Sequence, residues 1–316
     1  MNSVKAKGYL LGAIAAATYG MNPLFALPLY QGGMTPDSVL FFRYLFAIII
    51  LGIMLKVRGR NFRIQRKDVL PLAVFGLLLS VSSLTLFESY NHMDAGIAST
   101  LLFVYPLMVA LIMAAVFKEK LKLQTLLCIA LALGGIGLLY KSSDGSTLSL
   151  TGTLLVFLSS LSYAIYIVGI NRPALKDMAT LKVTFYVLLF GITLFVGRFL
   201  CGGKMVVPDN DHWYLWGNLI ALGVFPTAIS FLCTTSAIQY IGSTPTAILG
   251  ALEPVTAVFF GVVVFGEVVT PREFTGLVII ILAVTWVIAG NNVTAYLIRI
   301  RKLFPRLSLR HKKSKM

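Results

Sequence analysis

Residues 104–120 read VYPLMVALIMAAVFKEK, and residues 252–268 read LEPVTAVFFGVVVFGEV. Each belongs to an apolar run, 94–117 or 243–266, with a proline near its middle. Thirteen residues after each proline stands a glutamate, where the apolar run stops. Pro106 corresponds to Pro254 and Glu119 to Glu267, both at an offset of 148. The copies continue into further apolar runs at 126–140 and 279–289. A repeat of this length implies two homologous halves.

Composition says what the halves are made of. The 316 residues are 58% hydrophobic and only 12% charged, with mean hydropathy +0.86. A soluble domain carries about 25% charged residues. A soluble protein this apolar cannot cover its surface, so the expected solvent is lipid. The net charge of +15 raises a nucleic-acid partner, but the position of the charges argues against one. They fall between apolar runs of membrane-spanning length and in the C-terminal tail. Cys128, Cys201 and Cys233 are scattered and form no metal-ligand or disulfide pattern; they read as small apolar fillers.

A span needs about 20 mostly apolar residues. That rule predicts ten helices, at 8–30, 36–56, 69–91, 94–117, 122–140, 150–171, 181–201, 212–240, 243–266 and 273–292. Lys5, Lys7 and the apolar run behind them resemble a signal peptide. The run is nonetheless long enough to span and has a counterpart at 153–170, so it is read as the first helix. With both termini cytoplasmic, 22 of the 27 Lys and Arg residues fall on the inside. Lys141, Arg198, Lys204 and Arg272 fall outside, and Arg43 lies within a span; this follows the positive-inside rule. Five passes per half is an odd number, so the second half runs through the membrane inverted. Inverted repeats are the architecture of many secondary transporters, with a pseudo-two-fold axis in the membrane plane and a site at mid-depth. The expected fold is therefore an all-α integral membrane protein, two inverted five-helix repeats around a central cavity. The expected units are 1–145, 146–293 and a basic cytoplasmic tail, 294–316. The tail either lies on anionic lipid or is a disordered topogenic segment. Asn292, Val293 and Thr294 match a glycosylation pattern but fall on the cytoplasmic side.

Taken in order, several motifs resemble the drug/metabolite transporter superfamily, in particular its ten-helix EamA-type members. The first helix carries Thr18, Tyr19, Gly20, Met21, Asn22 and Pro23; the second carries Phe41, Phe42, Arg43 and Tyr44. The fourth has Ala95, Gly96, Ile97 and Ala98 before Tyr105 and Pro106, and closes on Phe117, Lys118, Glu119, Lys120 and Leu121. The next holds Gly134, Gly135, Ile136 and Gly137. The second half repeats the pattern with Ala247, Glu253 and Pro254, then Gly266 and Glu267. The resemblance covers about residues 8–290. It implies transport of a small metabolite, with amino acids prominent among substrates, a cavity between the halves and no cofactor. One departure is that the second half has Tyr163 and Ala164 where the first has Tyr19 and Gly20, so the two entry helices are not expected to be equivalent.

Charge inside lipid costs at least ~2.5 kcal/mol on insertion scales, so ionisable residues in spans are functional candidates. Arg43 is seven residues past Pro36, about 10 Å below the outer surface at the helical rise. Glu88 lies at a similar depth. Either Arg43 binds a substrate carboxylate or gates the outer mouth, or the two form a structural ion pair. Glu253 is near the midplane, beside a proline that loosens the helix. It either meets a substrate ammonium or a proton, or bonds a freed carbonyl. Tyr105 stands at the matching position of the first half. Tyr19 and Asn22, and Tyr163 and Tyr166, lie one helical turn apart on the entry helices and offer polar contacts and ring faces. Pro23, Pro28 and Pro226 are candidate kinks. Glu119 and Glu267 read as helix-end charges, and His92 and Asp94 as a solvated turn. Ser80, Ser82, Ser83, Ser159, Ser160, Thr234 and Thr235 read as interhelical packing.

The expected substrate-binding set is Tyr19, Asn22, Arg43, Glu88, Tyr105, Tyr163, Tyr166 and Glu253. The expected activity is secondary transport of an amino acid or related zwitterion by alternating access, with export favoured, across a bacterial inner membrane. Proton coupling is an open alternative, as are a nucleoside, sugar or drug-like cation as substrate. The sequence carries no HExxH, GxSxG or Walker motif, and no filter-like segment. An intramembrane enzyme and a channel are therefore the weaker readings.

Overall fold

The computed structural model describes residues 3–93, 98, 101–119, 123–139, 149–170, 175, 178–208, 212–265, 270–272 and 274–286. Glu267, Asp94, the 142–146 loop and the tail lie outside these residues. Among the described residues every regular element is helical. Lipid offers no hydrogen-bond partner, and a helix is the one form that pairs its backbone within a single segment.

The first pass is α1 (Ser3–Tyr19) followed by α2 (Asn22–Gln31). Pro23 opens α2, where its missing N–H would have had no helical partner anyway. Next come α3 (Pro36–Val57) and α4 (Arg66–Ser89). The Thr35 hydroxyl caps α3 by accepting from the Ser38 amide. The fourth and fifth passes are α5 (Tyr105–Phe117) and α6 (Leu123–Leu139). The second half runs α7 (Leu150–Ile170), α8 (Thr180–Leu200) and α9 (Trp213–Gly223). A π-helix, Val224–Ile229, leads into α10 (Ser230–Ile241). The chain closes with α11 (Ser243–Leu249), α12 (Leu252–Phe265) and α13 (Phe274–Trp286).

Seven of these segments are long and apolar enough to cross a membrane, and three shorter apolar helices accompany them. In order, they coincide with the ten predicted spans. The prolines of the repeat sit differently from the expectation. Pro106 and Pro254 do not bend continuous helices. The backbone turns first, at Phe103 and Val104 and at Gly250 and Ala251, and each proline then lies in the first turn of a new helix.

The packing is symmetric under exchange of the halves. α4 lies along α7, and α1 lies along α10. α5 packs on α7, and α12 on α1. α3 and its counterpart α8 pack directly on one another, as do α5 and α11. The α3/α8 pair is antiparallel. The start of α3 meets the end of α8 through Asp37 and Arg198. At the other end Lys182 and Tyr186 of α8 donate to the carbonyls of Arg63 and Phe62. α6 and α13 are antiparallel too: Gln124 reaches the Trp286 carbonyl, and Arg272 the Gly137 carbonyl.

Small hydroxyl side chains stitch the helices. The Ser82 and Ser159 hydroxyls lie 3.1 Å apart, and Ser160 donates to the Leu102 carbonyl at 3.0 Å. Such contacts stand in for the hydrophobic drive that lipid does not provide. Outward-facing positions are apolar, among them Ile49, Ile53, Leu131, Leu154 and Leu161.

Candidate functional site

The two broken helices and the first pass meet in the centre. The backbone turn between α1 and α2 falls at Gly20 and Met21, against the turn between α11 and α12. A Cβ on Gly20 would stand 2.3 Å from the Glu253 carbonyl oxygen, so only glycine allows this approach. A Cβ on Gly250 would stand 1.7 Å from the Tyr105 hydroxyl. The tyrosine of the first repeat therefore reaches into the break of the second.

Beside this crossing is a small cavity of about 10 Å³, room for a single water-sized group. Gly12, Ala15 and Ala16 of α1 form its small-residue wall; Tyr105, Tyr163, Thr234, Thr246 and Glu253 supply its polar atoms. The Tyr105 and Tyr163 rings meet edge to face at 5.0 Å, and Tyr163 stacks on Tyr166 at 5.9 Å. Glu253 is 8% exposed. Its carboxylate has no hydrogen-bond or ion-pair partner among the described residues. A second small space, about 10 Å³ and apolar, is bounded by Phe103, Pro106, Ile129, Ile248 and Ala251.

Arg43 does not line the Glu253 cavity. It is fully buried, among the rings of Tyr19, Phe87 and Phe231 at 5.5, 5.7 and 5.8 Å. Its Nε donates to Thr227 Oγ1 at 2.6 Å and its Nη2 to the Pro226 carbonyl at 3.2 Å. Nη1 is buried with no acceptor among the described residues. The expected alternative of an Arg43–Glu88 ion pair is not formed. The π-helix takes the guanidinium instead, and Glu88 is half-buried in the vicinity of Tyr30 and Arg198. Tyr19 lies near both charged groups. Its ring covers Arg43, and its phenol is within electrostatic reach of both Arg43 and Glu253.

Of the eight predicted residues, the structure brings Tyr105, Tyr163 and Glu253 onto one cavity, with Tyr166 stacked behind. Asn22 is buried at the α1/α2 break, and its Oδ1 has no partner. Two hydroxyl residues correct the sequence reading. Thr234 was expected to pack helices but lines the cavity, together with Thr246, which the sequence reading did not single out. Thr227 and the π-helix were also missed. One weak signal was present, because Pro226 inside a span must disturb the helical ladder. The packing role holds for Ser82, Ser83, Ser159, Ser160 and Thr235, which bond neighbouring helices or their own.

Known proteins match this arrangement. An uncharacterized transporter of Archaeoglobus fulgidus is 32% identical over 240 residues, 76% of this chain and 82% of the relative. The Escherichia coli threonine/homoserine exporter RhtA is 25% identical over 221 residues, covering 70% of this chain and 72% of the exporter. The uncharacterized inner membrane transporter YicL of Salmonella typhimurium is 25% identical over 293 residues, 88% of this chain and 94% of that protein. One crystal structure superposes with a TM-score of 0.74 at 18% identity, over 93% of this chain and 99% of that one; it supports the fold. The profile of the EamA-like transporter family matches twice, over residues 6–141 and 150–289. With two matches that together cover nearly the whole length, on a helical bundle whose halves exchange packing partners, this chain belongs to the EamA-like transporter family.

Proposed function

We propose that this transporter moves a small zwitterion, an amino acid or close relative, by alternating access between two inverted five-helix units, 1–145 and 146–293. Export across a bacterial inner membrane is the favoured direction, with both termini and the basic tail on the cytoplasmic side. The observation that carries the reading is the Glu253 carboxylate, which lines the central cavity with no partner among the described residues. An unpaired buried carboxylate is costly to keep. A substrate ammonium at that position offsets the cost, and a proton does so when the site is empty. Arg43, with Nη1 still unpaired, is the matching group for a carboxylate, and Tyr19 stands between the two charges. The name of the relative RhtA supports the same substrate class.

A second reading is favoured by one observation. Tyr19 covers Arg43, whereas Glu253 shares the cavity wall with Tyr105 and Tyr163. An acid between aromatic rings suits an organic cation that has no carboxylate. No catalytic role is assigned to any of these groups.

Liposome counterflow separates the readings. The purified protein is loaded with unlabelled solute and offered labelled amino acids, nucleosides, sugars and amines. Accumulation of amino acids is the expected result. Accumulation of amines alone selects the cation reading. An ionic current with no solute movement sinks both.

A further inference from the structure

The π-helix at 224–229 has a purpose that its sequence does not announce. It is the one interruption in the α9–α10 pass, and it lies directly against α3. Thr227 is fully buried there, and its hydroxyl serves two partners. It donates to the Leu222 carbonyl at 2.7 Å, five residues back, and accepts from Arg43 Nε at 2.6 Å. The neighbouring carbonyl of Pro226 accepts from Nη2. Widening the helix lets this backbone oxygen face sideways towards α3.

The two bonds use one edge of the guanidinium fork, formed by Nε and Nη2. The end that carries Nη1 is left without an acceptor. Three rings hold the guanidinium plane in place. We infer that Thr227, through the π-helix, is a positioning and specificity-determining residue: it fixes Arg43 so that only the Nη1 end remains for the carboxylate of a zwitterionic substrate, which reaches it once the helices packed over Arg43 part during the transport cycle. The inference rests on the carboxylate reading given above and deepens it. Without the Thr227 oxygen, Arg43 keeps its charge but loses one of the two bonds that set its direction. A charge-assisted hydrogen bond depends on that direction. Binding of a carboxylate should then weaken, while a ligand without one should be indifferent.

The test compares Thr227→Val, Thr227→Ser and Thr227→Cys in proteoliposomes. Each is offered the proteinogenic L-amino acids and their decarboxylated amines as labelled probes. For the amino acid that the wild type moves best, Thr227→Val should raise KM by at least about tenfold with the maximal rate held within about twofold. The matching amine should keep its KM. Thr227→Ser retains the oxygen and should behave as wild type. Thr227→Cys, a weaker acceptor, should fall between, and it carries the test if Thr227→Val does not fold. An unchanged amino-acid KM in Thr227→Val or Thr227→Cys overturns the role, as does an equal loss for acid and amine. Arg43→Gln separates this failure from that of the underlying reading. If Arg43→Gln also leaves the amino-acid KM unchanged, or if the wild type moves no amino acid, the carboxylate reading itself falls.

Discussion

Gly250 lacks a side chain because the Tyr105 hydroxyl already fills the place that one would take. Gly250→Ala forces two groups into one volume, and overpacking of this kind costs about 1–3 kcal/mol. The expected result is a lower melting temperature in detergent, restored in large part by adding Tyr105→Phe. The ring atom that bears the hydroxyl would still lie 3.0 Å from the new methyl, so recovery should be incomplete. Equal melting for the single and double variants would show that the hydroxyl is not the obstacle. Glu253 gives the opposite kind of prediction. Its carboxylate is buried and has no partner among the described residues, so Glu253→Gln should leave the melting temperature unchanged or raise it, as replacement of a functional-site residue often does. Amino-acid counterflow should fall by about tenfold or more, equivalent to about 1.4 kcal/mol of lost binding. Unchanged counterflow would remove Glu253 from both the ligand and the proton role. Glu253 was legible in the sequence because charge in a span is rare. Thr234 was not, because a hydroxyl reads the same whether it faces a cavity or its own helix.

At the scale of helices the halves are alike in packing but not in regularity. α4 and α7 run unbroken along one another. Their counterparts, the α9–α10 pass and the α1–α2 pass, are interrupted by a π-helix and by the turn at Gly20. The contrast of Tyr19–Gly20 with Tyr163–Ala164 pointed to unequal entry helices, and α7 does continue through Ala164 where the first pass breaks. Interrupted helices have fewer internal hydrogen bonds to hold them closed. Hydrogen–deuterium exchange should therefore be faster around residues 20–22 and 224–229 than at the middle of α4 and α7. Comparable protection in all four would count against unequal mobility of the two pairs. The α3/α8 seam makes a second prediction. It is tied at one end by the bidentate Asp37–Arg198 pair, at 2.7 and 3.0 Å, and at the other by Lys182 and Tyr186. The proposed alternating-access cycle would open one tie at a time. In a background lacking Cys128, Cys201 and Cys233, a reducible bifunctional thiol crosslinker joining Asp37→Cys to Arg198→Cys should stop transport, and reducing the linker should restore it. Transport that continues while crosslinked would show that this end does not open.

At the scale of the whole molecule, inversion is the property on which the mechanism depends. Lys118→Cys and Arg272→Cys, at the ends of equivalent segments, should label from opposite faces of intact cells. An impermeant thiol reagent should reach position 272 directly and position 118 only after permeabilisation. Labelling of both from one side would remove the inversion. Much of this level was readable from the chain alone. Hydropathy set the number of passes, the offset of 148 set the duplication, and an odd number of passes per copy set the inversion. These follow from the sequence because lipid imposes one local rule on every segment: pair the backbone within a helix and cover it with apolar side chains. The prolines 106 and 254 were visible too, but not that the chain turns before them. Only the tertiary structure decided that Tyr105 enters the break of the other repeat, that Arg43 pairs with a π-helix rather than with Glu88, and that Tyr19 lies close to both Arg43 and Glu253. Each of these joins residues far apart in the chain, and which groups meet depends on helix rotation and crossing, set by packing that no local pattern encodes.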